Sequence, residues 1–545
     1  MSYLDPQNQF YGRQDILDLL KKRVGNLKEG YRQNVAILGN LYTGKSLLLQ
    51  NFILNHDDSD VVLIYIDLDN KEFSYFFSRF ISSILYHYSK DKGFSGQENL
   101  SILLESLNDH IPHTVQVIRK IQVDFKNEKY YNVFLGLLTL VDVFINETGK
   151  CCVLIFDEFQ NLEASLSSRV YEDLGKKIMT QKKCFYILTS SYERIAKKIL
   201  SEKLSLLFGN FETLTIGNFD SQNSQKFIDH SLKDKRMGAQ LKNFLVDFTG
   251  GHPLCLDLIC QELVNLSAIH NQSEIYMPLL AQAVENTIFN RWGAISRHFD
   301  LILNDLFLGK GNRVVSSVLM SVAGGKNKIE DISLETDVKP VYLKQKLNRL
   351  LELNVLVKNG YSYHFQDKLF RYWIKYVYQR RLKDIEISIE AQRRQFREEF
   401  NKMIENFKMT SRKDFSSRIV ELLNCFDNES YDLNGRKYKL PTFREITPLK
   451  IRTENGMFFD VIKASSDDSH WLICLGTESF GENDLSMILA EAKKMGLRSL
   501  KCLLISLTDI DENTRLKALS ERFWIWNEVE LTVLLTLFDK PYIVR

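Results

Sequence analysis

The fold of this chain is decided by VAILGNLYTGKSLLLQNF, residues 35–52. Its first four residues are apolar and predict a buried strand, while residues 47–52 predict a helix. Between them lies a glycine-rich loop that reads Gly39-Asn40-Leu41-Tyr42-Thr43-Gly44-Lys45-Ser46. A strand, a glycine loop of this spacing and a helix in that order are typical of a phosphate-binding loop.

The residue types of this loop suit a nucleoside triphosphate. Gly39 and Gly44 let the backbone turn so that successive N–H groups face phosphate oxygens, and the helix adds its positive N-terminal end. Lys45 is expected to reach the β- and γ-phosphates, and the Ser46 hydroxyl to hold Mg²⁺. We therefore expect all eight loop residues to contact ATP.

A second motif places two acids directly after an apolar strand. Residues 153–156 are Val-Leu-Ile-Phe, and Asp157 and Glu158 follow them. Asp157 is expected to hold Mg²⁺ through its water shell, and Glu158 to orient or deprotonate the water that attacks the γ-phosphate. Taken alone, the pair is more typical of the start of a solvated loop; the phosphate-binding loop upstream favours the catalytic interpretation.

Further apolar runs at 61–67, 184–191 and 211–216 alternate with helical segments. This alternation predicts a parallel sheet covered by helices on both faces, with its ligands at the carboxyl ends of the strands. Ser190 and Ser191, at the end of one of these strands, are candidate sensors of the γ-phosphate or of the attacking water. Small polar residues also end ordinary strands, so that role stays open.

Composition describes an ordinary globular chain of several domains. The 545 residues are 44% apolar and 26% charged, with a net charge of +2, so any nucleic-acid surface must be local. The eight cysteines contain no C-x-x-C pair, which predicts buried free thiols. The polar N-terminus and the lack of an apolar run near ~20 residues predict a cytoplasmic protein.

Five motifs carry a family resemblance, and they occur in this order: Phe10-x-Gly12-Arg13, the 39–46 loop, Asp157-Glu158-Phe159-Gln160, Thr189-Ser190-Ser191 and Thr249-Gly250-Gly251-His252-Pro253. Together they resemble the archaeal-type group of the STAND branch of the AAA+ P-loop ATPases. The resemblance implies a five-stranded sheet with the phosphate-loop strand central and the acid-pair strand beside it.

The resemblance also implies roles for residues outside the loop. Phe10, Gly12 and Arg13 would pack near the adenine, and Pro253 would belong to a helical lid that closes over the nucleotide. The chain departs from the family pattern at Ile16, where an acid is usual, and at Leu41 and Tyr42, where basic residues are common. Neither departure removes a catalytic group.

The predicted domain organisation follows the changes of pattern along the chain. It comprises an ATPase domain at 1–220, a helical lid at 221–300, a winged helix at 301–380, a charged and solvated helical connector at 381–413, and an α/β domain at 414–545.

The segment assigned to the winged helix is strongly basic. Residues 339–381 hold ten bases and two acids, a surplus of eight. Lys339, Lys344, Lys346 and Arg349 lie on a predicted helix that precedes an Asn-Gly hairpin, so this helix could enter a DNA major groove. The alternative is a solvated helix face or a surface for a protein partner.

The last domain resembles the PD-(D/E)XK restriction-endonuclease-like fold. Asp460 fits the acid that ends one strand, and Glu421 fits a helical acid. The Glu-x-Lys positions on the next strand fall on Cys474 and Gly476, which cannot replace a hard oxygen ligand and an ammonium. The domain is therefore predicted to be catalytically degenerate; the alternative is a Mg²⁺-dependent nuclease that uses Asp460.

These patterns combine into one functional hypothesis. ATP binding and hydrolysis would move the winged helix and the C-terminal domain, and so change contact with DNA or a regulatory partner, with ATP-dependent homo-oligomers as a further expectation from the resemblance. The alternative is a signalling scaffold that binds only proteins.

Overall fold

The computed structural model describes residues 10–69, 72–91, 100–167, 169–204, 211–307, 312–379, 389–433, 436–452, 458–476, 480–494, 500–508 and 510–544. The chain forms two compact units. The first takes in residues up to 217 together with 352–354, and the second takes in 218–351 and the chain from 355 onward. The domain boundaries predicted from the sequence stay predictions.

The first unit is built on a parallel sheet of five strands, as the alternating pattern predicts. Its strands are β1 Asn34–Leu38, β2 Val61–Asp67, β3 Cys151–Asp157, β4 Cys184–Ser190 and β5 Phe211–Thr215. Strands β1, β3 and β4 are buried along their whole length. Such continuous apolar strands are those of a sheet covered on both faces.

The order of the strands corrects one expectation. The sheet runs β2-β3-β4-β1-β5, so β4 is the central strand and separates β1 from β3. The resemblance implied that the phosphate-loop strand is central and lies beside the acid-pair strand, which is wrong here. Each helical crossover between parallel strands can skip a position, and the spacing of strands along the chain does not record which position is skipped.

Two apolar clusters cover this sheet, one on each face. The helices of the first unit are α1 Gln14–Lys28, α2 Lys45–Leu54, α3 Phe73–Asp91, α4 Leu100–Leu107, α5 Pro112–Lys126, α6 Tyr130–Thr148, α7 Leu162–Ser165, α8 Val170–Thr180 and α9 Glu193–Lys198. Helices α3 to α6 occupy the long excursion between β2 and β3 and supply much of the larger cluster.

The second unit begins with helices and short strands. They are α10 Ser221–Leu232, β6 Arg236–Met237, α11 Ala239–Thr249, α12 Pro253–Ile269, β7 Glu274–Ile275, α13 Met277–Phe289, α14 Ala294–Leu306, α15 Asn312–Ala323, α16 Ile329–Thr336 and α17 Pro340–Glu352. A hairpin of β8 Leu356–Asn359 and β9 Ser362–Phe365 follows, and Gly360 turns it with a φ of 59°. This is the element order predicted for a winged helix, an assignment that stays a prediction.

After α18 Lys368–Trp373 comes the helix of the predicted connector, α19 Ile389–Ser411. The sequence predicted a solvated helix, which is wrong. Phe396, Phe400, Ile404 and Phe407 form a buried stripe, and Phe244 of α11 makes ring contacts with two of them. Charges of both signs between these positions obscured an apolar period of 3.6 residues.

The basic surplus of residues 339–381 is partly neutralised by acids from elsewhere in the unit. Three ion pairs do this: Lys368 with Asp247 at 3.2 Å, Arg371 with Asp539 at 3.2 Å and Lys375 with Glu399 at 3.0 Å. Arg380 and Arg381 lie outside the described residues. The other bases of the segment lie on or beside α17 and the hairpin, and they are Lys339, Lys344, Lys346, Arg349 and Lys358.

The C-terminal part of the second unit carries a mixed sheet in the order β12-β13-β14-β15-β16. Its elements are α20 Phe415–Leu423, β10 Ser430–Leu433, β11 Arg436–Lys439, β12 Glu445–Arg452, β13 Phe458–Ser465, β14 His470–Gly476, α21 Glu482–Lys494, β15 Leu500–Ser506, α22 Glu512–Ser520, β16 Trp524–Trp526 and α23 Glu528–Leu537. Strands β12 to β14 pair antiparallel, whereas β14 to β16 pair parallel.

Asp460 does not end its strand, which corrects another expectation. It is the third residue of β13, and the strand continues beyond it through the buried Ile462 and Ala464. Its carboxylate lies 3.7 Å from the Lys450 ammonium. Glu478, which follows β14 in the sequence, lies outside the described residues.

All eight cysteines are free thiols, as predicted, and six of them are buried. Cys425 and Cys502 are partly exposed. None of the helices within the described ranges has the length and apolar character that crossing a bilayer requires.

Candidate nucleotide site

The loop between β1 and α2 is held in one conformation by close packing. Gly44 has a φ of 97° and stands at the N-cap of α2, and Tyr42 has a φ of 58°. A Cβ atom on Gly39 would lie 2.1 Å from the carbonyl oxygen of Ile216, so only glycine fits there. The Gly39 N–H donates to the Ser190 carbonyl at 3.2 Å, which ties the start of the loop to the end of β4.

Lys45, the first residue of α2, is only 4% exposed. Its ammonium donates to the carbonyl oxygens of Gly39 at 3.0 Å and Asn40 at 2.8 Å. Burial lowers the pKa of Lys45, and the nearby carboxylates of Glu158 and Asp157 oppose that shift. The loop therefore holds a poorly solvated ammonium in place. Its attraction for the phosphates of a nucleotide would be strong there, because little water screens the two charges.

Asp157, the last residue of β3, is the centre of a hydroxyl cluster. Its Oδ2 accepts hydrogen bonds from Ser46 Oγ at 2.9 Å and from Tyr65 Oη at 2.8 Å. Its Oδ1 accepts from Thr189 Oγ1. Burial and the neighbouring Asp157 raise the pKa of Tyr65 far above its usual range, so this phenol remains a donor.

Glu158 has a φ of 55°, which is uncommon for a residue with a long side chain. Its carboxylate accepts from the Ser191 N–H at 2.9 Å, from the Ser191 hydroxyl and from Gln160 Nε2 at 2.8 Å. Three donors from two sides fix the direction of this carboxylate. A backbone bend of this kind, at a carboxylate held so firmly, is a feature found at functional sites.

The donor set fits a magnesium ion shared with a nucleotide. Within the described part of the chain there is no group of three or more His, Cys, Asp or Glu side chains that could hold a metal by itself. Instead, the Ser46 hydroxyl is hydrogen-bonded to a single carboxylate, that of Asp157. Mg²⁺ is commonly held by one or two carboxylates together with substrate phosphates and water, and this pair suits that role.

The other predicted site residues are the three expected near the adenine and the one expected in the lid. Phe10 packs against the apolar cluster around α1 and α2, Gly12 has a φ of 71°, and Arg13 donates to the carbonyl of Gly217, just past β5. Pro253 is the first residue of α12 in the second unit, and its place over a nucleotide stays a prediction.

Ser190 is fully buried, and its hydroxyl accepts from the N–H of Tyr192 at 3.1 Å. The residues on either side of it, Thr189 and Ser191, are the ones that contact Asp157 and Glu158. Of the two serines predicted from the sequence, Ser191 contacts Glu158, and a role of Ser190 at the γ-phosphate stays a prediction. The contacts that Thr189 and Tyr65 make with Asp157 were not predicted. The alternation of side chains along a strand could have separated Thr189 from Ser190. Nothing in the sequence links Tyr65 to Asp157.

A comparison with known protein families supports a nucleotide site at this loop. Residues 10–259 match a family described as an ATPase domain predominantly from Archaea. This part of the chain is therefore similar to an ATPase domain, and its phosphate-binding loop carries the Lys45 ammonium. No curated protein sequence matches the chain.

Three solved structures show more distant likenesses. A Walker-type ATPase of Pyrococcus abyssi is 17% identical, with a TM-score of 0.46, over 67% of this chain and 96% of that one. The ORC2 protein of Aeropyrum pernix, in ADPNP and ADP complexes, is 13% identical, with a TM-score of 0.43, over 70% and 97%. The RuvB branch-migration motor of Thermotoga maritima is 10% identical, with a TM-score of 0.33, over 70% and 97%.

Proposed function

We propose that this chain hydrolyses ATP in a Mg²⁺-dependent reaction and that its nucleotide state acts as a molecular switch, since residues 10–259 match an ATPase domain family. The proposal is carried by two contacts at neighbouring residues. Ser46 donates a hydrogen bond to Asp157, and the carboxylate of Glu158, the next residue, is held in a fixed direction by Ser191. A protein that only stored a nucleotide would not need a carboxylate fixed at this point.

Each side chain of the site has a role that its contacts suit. Lys45 and the N–H groups of the loop bind the β- and γ-phosphates. Ser46 and Asp157 would hold Mg²⁺, which when bound would neutralise charge on the phosphates. Glu158 orients the attacking water and accepts its proton, while Ser191 and Gln160 keep the Glu158 carboxylate aimed.

Magnesium removal tests the reaction directly. Full-length protein should release phosphate from ATP slowly in Mg²⁺, and excess EDTA should reduce the rate to the protein-free level because the Ser46–Asp157 pair then has no cation to hold. Adding Mg²⁺ back should restore the rate, whereas Ca²⁺, with longer oxygen distances, should restore little of it. Turnover that persists in EDTA would contradict the proposal.

We further propose that the second unit delivers the switch by contacting DNA through α17. On this helix Leu343, Leu347 and Leu350 are buried, while Lys344 and Arg349 lie on the exposed side. Both bases belong to the basic segment 339–381. Val341 and Tyr342, 78% and 66% exposed on the same helix, favour the alternative of a protein partner.

A charge reversal separates these two partners. The double variant Lys344→Glu, Arg349→Glu should lower DNA affinity and reduce the salt slope by about 2, because two phosphate contacts are lost. Lys402→Glu with Arg412→Glu, two exposed bases on and just after α19, is the matched control and should leave binding unchanged. Equal DNA affinity in both double variants would reject the DNA hypothesis and favour the protein scaffold.

We propose that the C-terminal sheet binds or supports rather than cuts. Cys474 is fully buried opposite Val461 in the register of β13 and β14, and Asp460 lies beside the Lys450 ammonium. Burial raises the pKa of the Cys474 thiol well above its usual range, so it is no thiolate ligand. The predicted degeneracy is consistent with these contacts.

A further inference from the structure

The second unit contains a large cavity that lies outside the nucleotide site. It has a volume of about 970 Å³ and is lined by parts of α11, the β9–α18 region, the second half of α19, α20 and residues 535–541. Pockets for small organic ligands have volumes of roughly 300 to 1,000 Å³ and tend to form where several elements meet. The cavity has the size and the position of such a pocket.

The charges around this cavity do not balance. It is lined by five basic side chains, Lys368, Arg371, Lys413, Arg418 and Lys540, and by three acids, Asp247, Glu421 and Asp539. Each acid is paired with one base: Lys368 with Asp247, Arg371 with Asp539, and Lys413 with Glu421. Five bases minus three acids leave a surplus of two positive charges.

The surplus lies on Arg418 and Lys540. Arg418 is 8% exposed, and its guanidinium donates to the backbone carbonyls of Pro541 and, at 3.0 Å, of Tyr542. Among the described residues neither Arg418 nor Lys540 has a carboxylate partner in an ion pair. Asp247 and Glu421 act on the Arg418 guanidinium only from a distance, and both are already paired with lysines. Carbonyl dipoles only partly compensate a guanidinium, and a buried charge without a directly paired counter-charge is costly. An anion inside the cavity would supply the missing negative charge.

A neutral polar group and an apolar wall complete the lining. His364 Nε2 is buried and has no hydrogen-bond partner among the described residues. Burial and the neighbouring Arg371 lower the pKa of His364 to about 4, so the imidazole is uncharged near neutral pH. Phe248 stacks on Tyr372 with ring centroids 5.0 Å apart, and Phe244 meets Phe407 at 5.7 Å. Such a wall suits a flat or apolar ligand body.

We propose that this cavity is a binding site for a small organic anion, with one or two negative charges on an aromatic or otherwise apolar body. The charge is recognised by Arg418 and Lys540, and the body packs on the aromatic wall. The site is separate from the phosphate-binding loop, and it does not depend on the proposed ATPase mechanism.

Fluorescence titration of the full-length protein tests the site with two related probes. The anionic probe is 8-anilinonaphthalene-1-sulfonate, and its uncharged counterpart is N-phenyl-1-naphthylamine. ADP is present throughout, so that the probes do not enter the phosphate-binding loop. We expect saturable binding of one sulfonate per chain, with affinity at least about tenfold higher than that of the uncharged probe. Equal affinity for the two probes would overturn the proposal.

Two variants place the binding in this cavity and leave the structural Arg418 intact. Asn406→Trp fills the cavity from an exposed position of α19 and should weaken sulfonate binding by about tenfold or more. Met409→Trp, also exposed on α19 but outside the lining, is the matched control and should bind as the parent does. Lys540→Gln should weaken only the sulfonate, by about threefold, since a partly screened charge is lost. Unchanged binding in Asn406→Trp would place the probe elsewhere and reject the site.

Discussion

Replacing Lys45 with alanine should lower ATP turnover by about two to three orders of magnitude, to near the protein-free rate. The ammonium is almost fully buried in the loop, and it is the cation that the structure places among the loop carbonyls and near both carboxylates. In such a poorly solvated position its attraction for the β- and γ-phosphates is strong, and no other side chain of the loop carries a positive charge. We expect the variant to lose nucleotide affinity together with turnover.

A second variant and a control distinguish the loss of the Lys45 charge from a loss of folding. Lys45→Met keeps most of the length of the buried stem, so it should retain the melting temperature of the parent while turnover is lost. Lys21→Ala removes an exposed lysine of α1 in the same unit and should leave turnover unchanged. Phosphate release and calorimetric ADP binding measure the two effects. Normal turnover in Lys45→Met would exclude the loop as the hydrolytic site.

Glu158→Gln should lower kcat by about 100-fold and leave ATP affinity within a small factor of the parent value, because the lost carboxylate acts as general base and not as a phosphate ligand. Glutamine has nearly the same shape, and its carbonyl oxygen can still accept from the Ser191 N–H. The local backbone, with its positive φ at this residue, should therefore persist. This pattern differs from that of Lys45→Ala, which should lose binding as well.

The appropriate comparison for Glu158 is Glu172→Gln, an exposed acid on α8 of the same unit, which should behave as the parent. Single-turnover kinetics with excess protein would separate the chemical step from product release. A Glu158→Gln variant with parent-like single-turnover rates would show that another group orients the water. In that case Ser191, which contacts the same carboxylate, would be the next residue to vary.

The local parts of this site follow from the sequence because they depend on residues close together in the chain. Gly39, Gly44 and Lys45 lie within seven positions, and their spacing between an apolar run and a helix is enough to predict the strand, the loop and the helix that the structure contains. The five parallel strands were likewise predicted, because each is a short apolar run bounded by helical segments. Asp157 and Glu158 were found by the same kind of local pattern.

Pairing over long distances was not predictable from such patterns. The insertion of β4 between β1 and β3 depends on which crossover skips a position, and a linear spacing does not contain that information. Tyr65 reaches Asp157 only because β2 and β3 lie side by side in register. For the same reason the sequence predicted Ser190 and Ser191 for the site but not Thr189, whose hydroxyl donates to Asp157 from the neighbouring strand β4.

The sequence by itself determined that this chain has a phosphate-binding loop on a parallel α/β sheet, because glycine spacing and apolar periodicity act over a few residues. Only the tertiary structure decided where the charges act. Three bases of the segment that begins at Lys339 are paired with Asp247, Glu399 and Asp539. These acids are distant in the chain, and Arg371 and Asp539 are 168 residues apart. Coulomb interactions depend on distance in space, and folding sets that distance.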